Sequence, residues 1–193
     1  MRLLFASQNQ HKLEEIKPLL PPRVELLSLA DVQFEGDIPE TSPTLAGNAI
    51  QKAAYIYTKF KMPCFADDTG LEIDALGGRP GVYSARYAGL NKSADDNMEK
   101  VLKQMNGETQ RKAVFKTVIA LAGMEDLMFF EGIVKGTITS EKRGSNGFGY
   151  DPIFMPDGYS VTFAQMNMDE KNKLSHRANA VLKFSKWLME HLK

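Results

Sequence analysis

The sequence predicts an α/β protein, and three patterns carry that expectation: an apolar strand running into a capped helix at the N-terminus, a long helical repeat from residue 45, and two extended β-type runs over 112–139 followed by a last amphipathic helix. Arg2 to Ala6 reads as a short buried strand. Ser7-Gln8-Asn9 supplies capping chemistry for a helix with Leu13, Ile16 and Leu20 on one face, which Pro21-Pro22 stops. Val24 to Leu29 is a second strand, and the acidic, turn-rich stretch through Pro39 and Glu40 stays a loop. A helix starting at Thr44 or Leu45 repeats Leu45, Ala49, Ala53, Ile56 and Phe60, leaving Asn48 and Lys52 at i, i+4 on an adjoining face. Cys64 to Ala66 and Leu71 to Ile73 are short β segments around Asp67-Asp68-Thr69-Gly70, and Gly77 to Gly81 is too rich in breakers to be either element. Ala94 to Met105 is a third helix. Lys112 to Ala122 and Leu127 to Thr139 form an antiparallel hairpin about a turn at Gly123 to Asp126, and Arg143 to Asp151 is a glycine-rich loop. The final helix, Ser175 to Leu192, presents Ala178, Val181, Leu182, Leu188 and Leu192 to a sheet.

Composition narrows the function classes. The 193 residues are 43% hydrophobic, enough for a core in one compact unit. Lys+Arg 24 balances Asp+Glu 24, so no global field draws the protein to nucleic acid or an anionic membrane, and any phosphate recognition is local. Cys64 stands alone, without disulfide, zinc or redox spacing. No apolar run approaches the ~20 residues of a membrane span, and the chain opens into a strand rather than a signal peptide, which points to a soluble cytoplasmic protein.

Four polar clusters carry chemistry. Ser7-Gln8-Asn9-Gln10-His11-Lys12 places a lysine in the first turn of a helix, where free N–H groups favour anions; the same residues also fit a plain capped helix with a solvated lysine. The adjacent carboxylates Asp67 and Asp68 repel unless a cation or donors neutralise them. Magnesium, which needs few carboxylates, would be satisfied by Asp68 with Glu40 as helper; the alternative is a surface turn with no metal. Ser145 to Pro152 sets Phe148 and Tyr150 among glycines, either to let a ring lie against a nucleobase or to fill the core beneath the loop. Lys171, Ser175, His176 and Arg177 gather donors at the start of the last helix, to hold phosphate and read a base edge or to form a solvated basic helix start.

Taken together these residues resemble the inosine/xanthosine triphosphate pyrophosphatase family along essentially the whole chain. Six blocks follow the family order: Ser7 to Lys12 for S/T-x-N-x-x-K; Glu40-Thr41 with Asn48 to Ala53 for E-T and N-A-x-x-K-A; Ala66 to Leu71 for A-D-D-S/T-G-L; Leu76 to Gly89; Gly147 to Phe154 for G-F-G-Y-D-P-I-F; and Lys171 to Ala180 for K-x-x-x-S-H-R-x-x-A. Asn146 stands where the family often has a second glycine, and Gln8 and His11 where small residues are common. The resemblance implies an elongated two-lobed α/β fold, a long central mixed sheet flanked by helices, a nucleotide cleft between the lobes, and a homodimer. It implies magnesium-dependent hydrolysis of ITP, dITP or XTP to monophosphate and pyrophosphate, removing them from the nucleotide pool.

Carried onto this sequence, Asp68 is the metal-linked proton acceptor and Glu40 helps to hold magnesium. The segment Ser7, Gln8, Asn9, Gln10, His11 and Lys12, together with Lys52, contacts the triphosphate; Lys171 completes the cationic set and Thr69 touches substrate. Phe148, Gly149, Tyr150, Asp151, Ser175, His176 and Arg177 form the base pocket, whose donors would pair with a 6-oxo group and be left unpaired against a 6-amino group. A pyrophosphatase for modified pyrimidine nucleotides would lack the Ser-His-Arg segment. A non-catalytic nucleotide sensor need not keep the paired aspartates and three lysines, and a nucleic-acid binder would show a contiguous basic stripe.

Overall fold

The computed structural model describes residues 1–124 and 127–191. In chain order its helices and strands are β1 (Arg2–Phe5), α1 (Gln10–Ile16), β2 (Glu25–Leu27), α2 (Leu45–Phe60), β3 (Cys64–Ile73), β4 (Arg79–Gly81), α3 (Ala94–Gln104), β5 (Lys112–Ala122), β6 (Met128–Ile138), β7 (Phe154–Pro156), α4 (Met168–Lys171) and α5 (His176–His191). The strands form a mixed sheet in the order β2-β1-β3-β5-β6-β7, with β4 paired to β3. β1 runs parallel to both neighbours, so Leu4 faces Leu27 on one side and Cys64 on the other; β4 and β7 are antiparallel additions.

Local chemistry explains the helix starts. Asn9 accepts from the Lys12 N–H at 3.3 Å, Thr44 from the Gly47 N–H at 3.1 Å, and Ser93 from the Asp96 N–H at 3.2 Å, each satisfying a donor that the first helical turn leaves without an intrahelical partner. α1 is shorter than its apolar stripe suggests, because Pro18 lacks the N–H an α-turn needs and the chain tightens to a 3₁₀ turn over Lys17–Leu19. Leu20 therefore falls beyond the helix.

Four expectations change. The two β segments about Asp67–Gly70 are one ten-residue strand, β3, because the aspartates find partners on either side of it. Arg79–Gly81, expected to be a loop, pairs with β3 as a short edge strand in which Pro80 sits opposite Glu72; an edge position tolerates a residue without an N–H. Leu182 is 49% exposed, and Phe184 enters the core in its place, since 181, 184 and 188 keep the 3-and-4 spacing that 182 breaks. β7 and α4 are short elements without a periodic signal. Of the expected turn at Gly123 to Asp126, Glu125 and Asp126 lie outside the described residues, as does Leu192 of the final helix.

The chain divides into two compact units: unit 1 holds residues 1–68, 117–132 and 177–193, and unit 2 holds 69–116 and 133–176. In unit 1, strand alternation sorts the sheet into two apolar faces. Leu3, Phe5, Phe65, Ile119 and Leu121 pack with Ile16 of α1 and with Val181, Phe184 and Leu188 of α5. Leu4, Ala6, Cys64, Ala66, Ala120 and Ala122 pack with Ala49, Ala53 and Ile56 of α2. Unit 2 has its own core, built on Leu71, Ile73, Val101, Phe115, Phe154 and Phe163.

Candidate active site

The same alternation separates the two aspartates. Phe65 packs in the cluster with α1 and α5 and Ala66 in the cluster with α2, and the next two residues of β3 repeat the pattern. Asp67 accepts from Lys12 Nζ of α1 at 2.9 Å and from Arg177 Nε of α5 at 3.2 Å. Arg177 also donates, through a second nitrogen, to Glu15 of α1. Asp68 accepts from Lys52 Nζ at 2.9 Å and from Asn48 Nδ2 at 3.2 Å, both on α2. Lys52 simultaneously donates to Glu40 at 2.5 Å, so one ammonium joins two carboxylates. Asn48 is oriented by accepting the Ser42 N–H at 2.9 Å.

The charges are deeply placed: Asp67 is 0% exposed, Asp68 8%, Lys52 5% and Arg177 1%. Burial raises the Asp67 carboxyl, but Lys12, Arg177 and Lys52 outweigh it and hold the group well below the usual carboxylate range. At Asp68 burial prevails over Lys52 and Lys12, and the carboxyl is pushed up. Burial also lowers Lys12 despite Asp67, whereas at Lys52 the opposing burial is overcome by Asp68, Glu40 and Asp67, and the ammonium is raised.

Unit 2 gathers a second set. Lys171, 3% exposed, donates to Asp151 Oδ2 at 2.5 Å and lies over the rings of Phe148 and Phe163 at 5.2 and 5.6 Å. Asp151 Oδ2 also accepts the Phe148 N–H at 2.8 Å, closing a tight turn in which Gly147 and Gly149 hold positive φ. A Cβ at Gly147 would collide with that carboxylate. The His176 ring is stacked on Phe115, centroids 4.3 Å apart and 10° from parallel. Ser175 is buried, and Thr69 and Phe148 are half-buried.

These contacts show how several of the expected residues are held within the chain. Lys171, expected to complete a cationic set, pairs its ammonium with Asp151. Arg177, expected at a base edge, has its guanidinium held by Glu15 and Asp67, as a buried charge needs charged partners. Tyr150 was expected in the base pocket, yet it is 5% exposed, packs in the unit 2 core and donates its hydroxyl to the Ser84 carbonyl at 2.8 Å. Tyr150→Phe is accordingly expected to cost about 1 kcal/mol of stability by urea unfolding. At the start of α1, the Asn9 side chain caps the helix, Ser7 Oγ accepts the Asn9 N–H, and Gln8 donates to the Gly36 carbonyl; Gln10 and His11 are exposed.

The Ham1 family model matches residues 3–187. The chain belongs to the Ham1 family. Its Ham1 relatives include proteins named dITP/XTP pyrophosphatase from Flavobacterium johnsoniae, 53% identical over 94% of both chains, and from Porphyromonas gingivalis, 49% identical over 97% of both. Among solved structures, Ham1 proteins of Staphylococcus aureus and Coxiella burnetii superpose with TM-scores of 0.89 and 0.90 at 38% identity, each covering 98% of this chain and 99% of the other.

Of the polar groups gathered here, sequence reasoning left Asn48 and Asp67 without a role of their own and passed over Glu15. Glu15 carried a faint signal: an acidic residue beside Ile16 on the apolar stripe, three positions after Lys12. Asp67 has a consequence for pH. Its folded pKa lies below its unfolded value, so its contribution to stability is present above about pH 4 and fades as pH falls further. Asp67→Asn is therefore expected to be less stable at neutral pH, with the gap in melting temperature narrowing below pH 4. A gap that stayed constant down to pH 2 would contradict this.

Proposed function

We propose that this protein hydrolyses non-standard purine nucleoside triphosphates such as ITP, dITP and XTP to the monophosphate and pyrophosphate, with magnesium. The observation that carries the reading is the buried cluster in which Lys52 holds Glu40 and Asp68 together while Lys12 stands on Asp67. Two carboxylates already share one cation there, and the lysines oppose the charge of a triphosphate. The names of relatives at about half identity support the same activity.

Among the described residues no group of three His, Cys, Asp or Glu side chains is arranged to hold a metal unaided. That suits magnesium, which binds through one or two carboxylates, waters and substrate phosphates, and Glu40 and Asp68 would hold it. When bound it would neutralise charge on the phosphates. Asp68 would take the proton from the water attacking the α-phosphorus, helped by a burial that makes its carboxylate a better acceptor. Lys12 and Lys52 would stabilise charge growing on the pyrophosphate leaving group. The segment from Ser7 to His11, at the start of α1, would line the phosphate end.

The unit 2 set would take the base. Phe148 offers a half-buried ring on a turn braced by Asp151 and Lys171, and Gly149 adds no side chain beside it; Ser175 and His176 would supply donors for a 6-oxo group. Thr69 directly follows Asp68 on β3 and would touch substrate. Phe148→Ala is expected to raise KM for ITP about tenfold, the value of one lost base–aromatic stack, with pyrophosphate inhibition little changed. The overall test is pyrophosphate release from inosine, xanthosine, guanosine, adenosine and thymidine triphosphates, with and without magnesium. Release from inosine and xanthosine triphosphates well above that from guanosine, adenosine and thymidine triphosphates, and only with the metal, supports the reading; release from none overturns it in favour of a nucleotide sensor. We further propose a cytoplasmic homodimer, to be checked by light scattering.

A further inference from the structure

The loop that brings Glu40 to the site is held by three side chains of α2. Lys52 meets Glu40, Gln51 Oε1 accepts the Thr41 N–H at 2.9 Å, and Asn48 Oδ1 accepts the Ser42 N–H at 2.9 Å. Gln51 also donates to Thr41 Oγ1 at 2.9 Å. Gly47 lets the loop lie this close, since a Cβ there would stand 2.7 Å from the Ser42 Cβ. Of the two amides, Asn48, 1% exposed, also reaches a carboxylate of the site, donating from Nδ2 to Asp68 Oδ2 at 3.2 Å.

The Ser42 contact decides which end of the Asn48 amide faces Asp68. A main-chain N–H can only donate, so the atom it meets is the oxygen, and the NH2 group points at the carboxylate. That direction matters because χ2 of an aspartate lies in a broad torsional well and does not set the carboxylate plane by itself. One hydrogen bond fixes one oxygen and lets the group turn about it; two donors fix the plane. Asp68 has two from α2, Lys52 at Oδ1 and Asn48 at Oδ2. Lys52 ends a flexible chain and is assigned to the leaving group, so its ammonium is shared with substrate. Asn48 is short, buried and held by the backbone of the loop.

We infer that Asn48 is a positioning residue for Asp68, fixing the plane of its carboxylate so that the oxygen that takes the proton meets the attacking water in a constant direction. This rests on the assignment of Asp68 as proton acceptor. It sets Asn48 apart from Gln51, which holds the same loop through Thr41 instead.

Steady-state kinetics with ITP at saturating magnesium test it. Asn48→Ala is expected to lower kcat about 10–100-fold, as loss of a residue supporting a catalytic group does, with KM little changed. Gln51→Met, which loosens the same loop, is expected to keep kcat close to wild type. In the Asp68→Asn background Asn48→Ala is expected to cost nothing further, because no carboxylate remains to be aligned. Equal falls in Asn48→Ala and Gln51→Met would overturn the inference, since they would trace the effect to the loop carrying Glu40. A rise in KM with kcat unchanged, or an undiminished loss on top of Asp68→Asn, would do the same. Should Asn48→Ala be too unstable to assay, Asn48→Leu keeps the branching and fills the space. It is expected to show the same fall, and wild-type kcat in it would equally refute the role. Wild-type turnover in Asp68→Asn would sink the catalytic assignment itself, whereas a large loss there with an unaffected Asn48→Ala would sink this inference alone.

Discussion

Asp68→Asn is expected to melt within a few degrees of the wild type and to lose about two to four orders of magnitude in kcat, the range by which a positioned acid–base group contributes. The amide matches the carboxylate in size, and Lys52 keeps Glu40 as a partner, so packing around β3 and α2 is retained. What disappears is a proton acceptor and one of two carboxylates proposed for the metal. An interaction used in the transition state shows as a fall in kcat and kcat/KM together, rather than as a rise in KM alone. Steady-state kinetics with ITP at saturating magnesium make the comparison. Turnover within threefold of wild type would remove Asp68 from the mechanism.

Lys52→Met carries the second large effect, and it separates structural from chemical roles. The ammonium compensates two carboxylates in a nearly closed environment, with Glu40 at 2.5 Å and Asp68 at 2.9 Å. Removing one partner of a buried pair leaves uncompensated charge and typically costs about 3–5 kcal/mol. In the variant, Asn48 would be the side chain still donating to Asp68 by a hydrogen bond seen here. A divalent cation that binds the folded state stabilises it by mass action. Lys52→Met is therefore expected to melt well below the wild type in chelator and to recover part of the loss as magnesium is added, while kcat stays at least about a hundredfold down, as for loss of an electrostatic stabiliser. A melting temperature indifferent to magnesium would speak against Glu40 and Asp68 as the metal's ligands.

The mutual position of Asn48 and Lys52 was legible because both sit on one face of a helix whose apolar stripe is unambiguous, and the structure buries both. The start of that helix was legible too, since Thr44 is a capping residue followed by helix formers. Leu182 was misplaced because an apolar residue one position from the stripe looks, in sequence, much like one on it; packing of Phe184 against Phe65 and Phe130 settled which side faces inward. The loop at residues 147–151 left two readings open, and the structure divides them between its aromatics: Phe148 half-buried, Tyr150 in the core. Asp67 and Asp68 were read as neighbours that repel unless a cation or donors neutralise them, at a magnesium site or in a metal-free surface turn. The strand sends them to opposite faces, where different cations neutralise each.

By itself the sequence determined the α/β class, the helix starts and the ordered motifs that place the chain among Ham1 proteins, because capping, periodicity and motif order act over a few residues at a time. Tertiary structure alone decided which charge answers which. Arg177 meets Asp67 from 110 positions away and Glu15 from 162, and no local rule reaches so far. Those pairings arise where helices from distant parts of the chain close over β3 and exclude water, leaving each buried charge dependent on a partner.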